Sequence, residues 1–253
     1  MGKSDPPLRT VARAFEIVEV LWETDGVGSA ELSERLDIPK STAHDYLRTL
    51  EDTGYAVRRD NKYQLGFQFL SVGGRLRNQN RFFQAARSEV RRLAIETGEL
   101  PNIGVEENGE GVLLHAVRGD KSLELGLYPG MRIPLHSNGA GKALFAHLPE
   151  EEIAEMLERG EFEQMTEHTI TDPDELAEEL EAVRERGYAV ARDEQVLGMA
   201  TVSVPIHVDE SLVGVLSIST PTGRLEDEAY ETDLVQQLQE AANTIMVGYQ
   251  YGP

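Results

Sequence analysis

Lys40, Ser41, Thr42, His44 and Arg48 are interleaved with Ala43, Leu47 and Leu50, so one face of a helix would be apolar and the other chemically varied. Short hydroxyls, an imidazole and a guanidinium are side chains that hydrogen-bond base edges and phosphates, whereas a merely solvated helix face carries Glu and Lys four residues apart. Asp45 on the same face repels phosphate unless it accepts from a cytosine amino group or orients Arg48. A second cationic group, Arg58-Arg59-Asp60-Asn61-Lys62, lies between two short β-prone runs, Tyr55-Ala56-Val57 and Tyr63-Gln64-Leu65. That pattern spells a hairpin with a basic tip.

Other constellations fail on inspection. Gly139-Ala140-Gly141-Lys142 invites a phosphate-loop reading, but the loop needs glycine at 136 and Ser or Thr at 143, where this chain has His136 and Ala143. The six histidines (44, 115, 136, 147, 168 and 207) show no H-x-x-x-H pairing and have no cysteine partners, so no metal site is expected. Ser137 and Ser203 lack the setting of a nucleophile elbow. We assign no catalytic residue and expect no cofactor.

The elements that position the first group follow from periodicity and punctuation. Val11, Ala14, Phe15, Val18, Leu21 and Trp22 predict a helix over 10–24 packed through that stripe, closed by Asp25-Gly26. Ser29 is read as the N-cap of a second helix turning Leu32 and Leu36 inward. After the turn at Asp37-Ile38, Pro39 is read as the first residue of a third helix that ends at Gly54. Two short helices, a tight turn and a basic hairpin describe a winged helix-turn-helix, whose third helix fits a major groove while the wing meets phosphates. Lys40, Ser41, Thr42, His44, Arg48, Arg58, Arg59 and Lys62 are its candidate DNA contacts.

Charge divides the chain in the same way. Of 45 acidic and 24 basic side chains, residues 1–82 hold 12 of each, so the net charge of −21 belongs entirely to residues 83–253. Asymmetry of this kind points to nucleic-acid binding by the less acidic part. The high glutamate content, with only five lysines beside 19 arginines, favours a halophile's salt-rich cytoplasm, with an ordinary acidic bacterial protein as the alternative that composition leaves open. No apolar run is long enough for a membrane span, and the first six residues read neither as a signal peptide nor as a myristoylation site. With no cysteine, disulfides are excluded. A cytoplasmic protein is expected.

Past the hairpin, 67–79 is helix-prone with Phe69, Leu70 and Leu76 as apolar anchors, and its Gly73-Gly74 pair suggests a bend or a close helix approach. Strands are predicted at 102–106, 112–117 and 123–127, with a turn at Asn108-Gly109, and again at 188–191, 200–206 and 212–219. Helices are predicted at 141–148, 150–159 and from Asp172-Pro173 to Arg186, and a last one carries Leu234, Leu238, Ala241 and Ile245. This mixture indicates an α+β domain. Ser137-Asn138-Gly139-Ala140, where a loop becomes a helix, offers amides and a positive dipole end to an anion; close packing of loop on sheet explains the same small residues.

Pro39-Lys40-Ser41-Thr42-Ala43-His44 with Leu47, Leu50 and Gly54-Tyr55, followed by Tyr63-Gln64-Leu65-Gly66, resembles the DNA-binding region of the IclR family of prokaryotic transcription regulators. Gly130-Met131-Arg132-Ile133-Pro134-Leu135-His136-Ser137-Asn138-Gly139-Ala140-Gly141-Lys142-Ala143 resembles that family's effector-domain signature. Arg186-Gly187-Tyr188-Ala189-Val190 through Leu197-Gly198-Met199, and Ser217-Ile218-Ser219, complete the set in the family's order. The resemblance implies a winged helix-turn-helix at 8–67 (helix-turn-helix 29–48), a linker helix at 68–82 that aids dimerisation, and a GAF- or profilin-like effector-binding domain at 83–253. It also implies an effector pocket at Ile133, Leu135, Gly139, Ala140, Met199, Thr201, Ser217 and Ser219. Thr201 replaces a frequent cysteine and Ala191 an occasional acid, so a different ligand is expected.

The function so implied is an effector-responsive transcription regulator of catabolic genes. It would bind a pseudo-palindromic operator in double-stranded DNA as a homodimer or homotetramer. Its effector is expected to be a carboxylate or sugar-derived metabolite, because the implied pocket has no aromatic ring for stacking. The competing reading is a small-molecule-binding enzyme or sensor whose helical N-terminal domain makes protein rather than DNA contacts.

Overall fold

A computed structural model of the chain describes residues 6–252, so the N-terminal stretch read for targeting signals lies almost wholly outside the described residues. The chain separates into two compact units, residues 1–76 and 77–253.

The first unit contains α1 (Arg9–Glu23), α2 (Ser29–Arg35), α3 (Lys40–Asp52) and a hairpin of β1 (Ala56–Arg59) and β2 (Lys62–Leu65). Its core gathers Ile17, Val20, Leu21, Val27, Leu32, Ala43, Leu47, Ala56 and Tyr63. Asp37, with φ 49°, makes the left-handed step between α2 and α3. At the hairpin tip Asp60 and Asn61 both have positive φ, the geometry of a two-residue turn matched to strand twist. Val27 bridges to Tyr63 and ties the segment before α2 to the hairpin.

Three local expectations shift here. The N-cap of α2 is Gly28, not Ser29, and no side chain caps it. Pro39 is the N-cap of α3 rather than its first helical residue. In α1 the buried stripe is Ile17, Val20 and Leu21, while Val11, Phe15 and Trp22 are exposed, so only part of the predicted inward face turns inward. The helix carries two apolar stripes, and the core of so small a unit accommodates one.

The linker is two helices, α4 (Gln68–Gln79) and α5 (Arg81–Thr97), rather than one. Asn80 leaves helical geometry between them, and its side chain accepts from the Phe83 amide at 2.9 Å. Gly73 and Gly74 lie inside α4, and a Cβ on either would meet nothing within 4 Å, so no close approach among the described residues explains them. Leu70 and Leu76 are exposed; Phe69 alone of the three expected anchors is engaged, edge-on to Tyr55 at 4.8 Å.

The second unit is built on an antiparallel sheet in the order β5-β4-β3-β8-β7-β6. Its strands are β3 (Leu100–Glu107), β4 (Glu110–Ala116), β5 (Arg132–Ile133), β6 (Ala189–Arg192), β7 (Met199–Val208) and β8 (Ser211–Pro221). One face packs on α5 and α9 (Glu228–Tyr251) through Ile103, Ala200, Val202, Val204, Leu216 and Ile218. The other lies under α6 (Gly139–Phe145), α7 (Glu150–Arg159) and α8 (Pro173–Arg186). Asp172 caps α8 with Pro173 next, as its residue types predict. The strand expected at 123–127 does not form: Gly126 has φ 64°, and β5 takes the place beside β4. Among the described residues no helix is long and apolar enough to cross a membrane.

Candidate functional site

On α3 the buried Ala43 and Leu47 fix the rotation of the helix, leaving Lys40, Ser41, His44 and Arg48 exposed and Thr42 half-buried. Arg48 pairs loosely with Asp52, 3.9 Å away, and Asp45 lies 3.7 Å from His44, so the Asp45–Arg48 partnership considered from sequence is not the one formed. Exposed pairs this long contribute little and are released at little cost. On the wing, Arg58 donates to Asn61 Oδ1 at 2.9 Å and lies over the Tyr63 ring, 5.7 Å from its centre. Arg59 and Lys62 flank the same turn and are exposed.

In the second unit the eight implied effector positions are all buried on the α6 side of the sheet or in the layer covering it. Ile133, Leu135 and Ala140 share one apolar cluster. Thr201 faces Ser219 across the β7–β8 pair, Ser217 lies one row further along and Met199 stands opposite Pro221 at the strand end. Asn138 caps α6, accepting from the Gly141 amide at 2.8 Å. Gly139 rests on β7: a Cβ there would fall 2.6 Å from the Thr201 carbonyl oxygen and 2.9 Å from Ser203 Oγ. Gly141 is as tight, with the Pro134 carbonyl oxygen 2.5 Å from where its Cβ would be. Both glycines therefore serve close packing of loop and helix on their neighbours. By helix geometry the first-turn amides of Gly139 and Ala140 have no acceptor within α6.

Lys142, the residue that suggested a phosphate loop, points elsewhere. Its side chain is 1% exposed, and its ammonium donates to Glu194 Oε1 at 2.6 Å, with Glu179 at 4.0 Å. Burial pushes the Glu194 carboxyl above its ordinary value, although Lys142 pulls it down. The Glu194 carbonyl accepts from Thr169 Oγ1 at 2.6 Å, and Thr166 Oγ1 donates to the Asp193 carbonyl at 2.6 Å, pinning the segment between α7 and α8 to the β6–β7 turn. None of these four residues was singled out from sequence. The partners are far apart along the chain, and a lone Glu or Thr gives no local signal. Asn102 and Ser203, buried beside Ser217, were also not singled out as candidate site residues, because alternating polar residues on a strand read as a solvent face.

The histidines set a pH response. Burial lowers His115, His136, His147 and His207 below the ordinary imidazole value of 6.5; His136 meets the Glu163 carbonyl, and the tilted rings of His147 and His207 lie 4.8 Å apart. Between the folded and unfolded values the unfolded chain holds more protons, so stability is complete above 6.5 and falls as pH drops through the folded values. Glu194, raised, acts with the opposite sign above 4.5, four imidazoles against one carboxylate. Urea unfolding followed at pH 7.5 and pH 5.5 is expected to show a lower midpoint at pH 5.5; an unchanged midpoint would contradict the burial of these imidazoles.

A winged helix-turn-helix with a varied, exposed recognition face, on one chain with a helix-covered antiparallel sheet, defines a DNA-binding transcription regulator with an effector-binding-type domain. The family model for the IclR helix-turn-helix domain matches residues 10–60, and that for the bacterial transcriptional regulator IclR C-terminal domain matches 76–247. The chain belongs to the IclR family. It is 31% identical to the "Probable HTH-type transcriptional regulator ArcR" of Halobacterium salinarum over 95% of this chain and 93% of that protein. The crystal structure of Thermotoga maritima IclR superposes with a TM-score of 0.80 at 30% identity, covering 96% of this chain and 99% of that one. An IclR homologue from Microbacterium hydrocarbonoxydans, complexed with 4-hydroxybenzoate, superposes at 0.78 and 23% identity over 94% of this chain and 99% of that one. The family is one of transcription regulators, which displaces the enzyme reading.

Proposed function

We propose that the chain is a cytoplasmic homo-oligomer that binds a pseudo-palindromic operator through α3 and the wing and responds to a small carboxylate or sugar-derived effector at the α6 face of the sheet, controlling catabolic genes. The observation that carries the reading is the recognition face of α3, where hydroxyls, an imidazole and a guanidinium project from a helix fixed in rotation by its buried residues. Oligomerisation is supported by a second apolar stripe on α1. Leu8, at its N-cap, Val11 and Phe15 are exposed, with half-buried Val18 following, at the alternating three- and four-residue spacing of a helix-pairing seam. Exposed Phe67, Leu70 and Leu76 on and beside α4 add to it. A second copy of the chain would cover both, and two-fold symmetry would set recognition helices roughly 34 Å apart on successive major grooves. The acidic surface suits a salt-rich cytoplasm, where counterion release drives little binding and direct base contacts carry more of it.

The test separates helix from wing. Arg48→Ala is expected to lower operator affinity by about 1–3 kcal/mol while leaving affinity for a scrambled duplex unchanged. Arg59→Ala is expected to weaken both duplexes alike and to reduce the salt slope by about 1. Affinities measured across a salt series decide it: the reverse pattern assigns bases to the wing, and no sequence preference in the parent protein removes the operator reading.

A further inference from the structure

Beneath α6 a row of polar side chains crosses three strands of the sheet. Cross-strand partners share a face, and the register sets Ser203 of β7 opposite Ser217 of β8, and Ser217 opposite Asn102 of β3. The two serines are wholly buried and Asn102 nearly so. Among the described residues neither the Ser203 nor the Ser217 hydroxyl has a hydrogen-bond partner, and the same holds for buried Ser137 in the loop before α6. Asn102 makes only long contacts, 3.3 Å to the Leu100 carbonyl and 3.5 Å to Ser219 Oγ. Buried polar groups are nearly always paired, so adjacent orphaned hydroxyls need a reason. Gly139 keeps the first turn of α6 directly above them, since a Cβ would fall 2.9 Å from Ser203 Oγ. Unpaired hydroxyls on adjacent strands, each able to donate and to accept, suit alcohol groups.

We propose that Ser203 and Asn102, together with Ser217, form a hydroxyl-binding subsite that selects a polyhydroxylated acid over its deoxy analogue. This rests on the reading that the α6 face holds the effector and adds what the effector must carry away from its carboxylate. Each serine hydroxyl both donates and accepts, and the Asn102 amide offers both roles, so the row matches alcohol groups on neighbouring carbons. A site built to hydrogen-bond an alcohol rejects the analogue without it, because the buried groups are then left unpaired. An aromatic acid leaves the same row unpaired.

The experiment titrates glycerate, threonate and gluconate against propanoate, butanoate and hexanoate by calorimetry, using the full-length parent and S203A. The parent is expected to prefer a hydroxylated acid over its chain-length partner by at least about tenfold, and S203A to lose that preference. The ligand-free S203A protein is expected to unfold at the parent's temperature or above, because the hydroxyl it loses is unpaired. N102L is expected to lose the preference as well. If the parent binds hydroxylated and deoxy acids equally, or S203A keeps the preference, the subsite is wrong while the effector face stands. If ligand-free S203A is markedly less stable than the parent, the hydroxyl is structural and the proposal falls. If the parent binds none of the six acids, the effector-face reading falls and takes the subsite with it.

Discussion

Lys142→Met is expected to destabilise the folded chain by about 3–5 kcal/mol at neutral pH, the usual cost of removing one partner from a buried ion pair. The ammonium and the Glu194 carboxylate are both out of water and 2.6 Å apart. Without Lys142 that carboxylate is buried with its pull toward ionisation gone. Glu194 escapes by taking up a proton, so the cost of the substitution shrinks as pH falls, which a simple packing defect would not do. Lys142→Met combined with Glu194→Leu is expected to recover most of the loss, since well-packed apolar replacements of buried pairs are often close to neutral. Urea unfolding of the parent, both single variants and the double variant at pH 7.5 and 5.5 checks this. A loss below about 1 kcal/mol for Lys142→Met, or one independent of pH, would mean that water reaches the pair.

The same pair shows where sequence reasoning stopped. Gly139-Ala140-Gly141-Lys142 was legible as a helix start, and the failed phosphate-loop spacing removed one role for the lysine without supplying another. Its partner stands 52 residues away, in a turn fixed by Thr166 and Thr169, and only the folded sheet brings them together. Local chemistry, by contrast, was readable. Asp172-Pro173 starts α8 because a carboxylate cap and a proline need no tertiary help, and Asn108-Gly109 turns β3 into β4 for the same reason. The strand expected at 123–127 has the alternation of a strand, but β5 takes the place beside β4 and Gly126 stands in left-handed geometry. In α1 two apolar stripes share one helix, and periodicity alone does not say which one meets the core. The helix α5 was legible and overlooked: Phe82, Phe83, Ala86, Val90, Leu93 and Ala94 form a regular buried stripe.

The DNA-binding face was the most legible part, because exposed side chains keep on the surface the chemistry that their types announce. The proposed effector face was legible through the small residues at 137–140 and, for the strand positions, through family resemblance alone. Polar residues alternating along β7 and β8 look like a solvent-facing row until a helix is placed over them. Placing α6 there also bears on two readings of its glycines. From sequence, Gly139 is either part of an anion site or a residue that lets the loop pack closely on the sheet. In the fold it is a packing residue with the backbone of β7 immediately beneath it.

Gly139→Leu is therefore expected to damage the whole effector domain rather than to block one ligand. Its Cβ would lie 2.6 Å from the Thr201 carbonyl oxygen and 2.9 Å from Ser203 Oγ. The serine hydroxyl can turn aside, but the carbonyl belongs to β7, which is paired on both edges by β6 and β8. Relief must come from α6, and α6 carries Lys142, Ala143, Leu144 and Phe145, all buried. Moving the helix would loosen the Lys142–Glu194 pair and the apolar cluster around Phe145 together. Overpacking typically costs 1–3 kcal/mol, and with backbone on one side of the clash the upper end, about 3 kcal/mol, is expected. Gly139→Ala carries the same Cβ and should show most of this loss, whereas a pocket-filling effect would grow steeply from Ala to Leu. The α1–α3 core contains no residue of the effector domain, so the DNA-binding unit should keep its own fold. Thermal unfolding of both variants, with circular dichroism to report the sheet, decides between the two accounts. A Gly139→Leu protein as stable as the parent that has lost only its effector would restore glycine 139 as an open site.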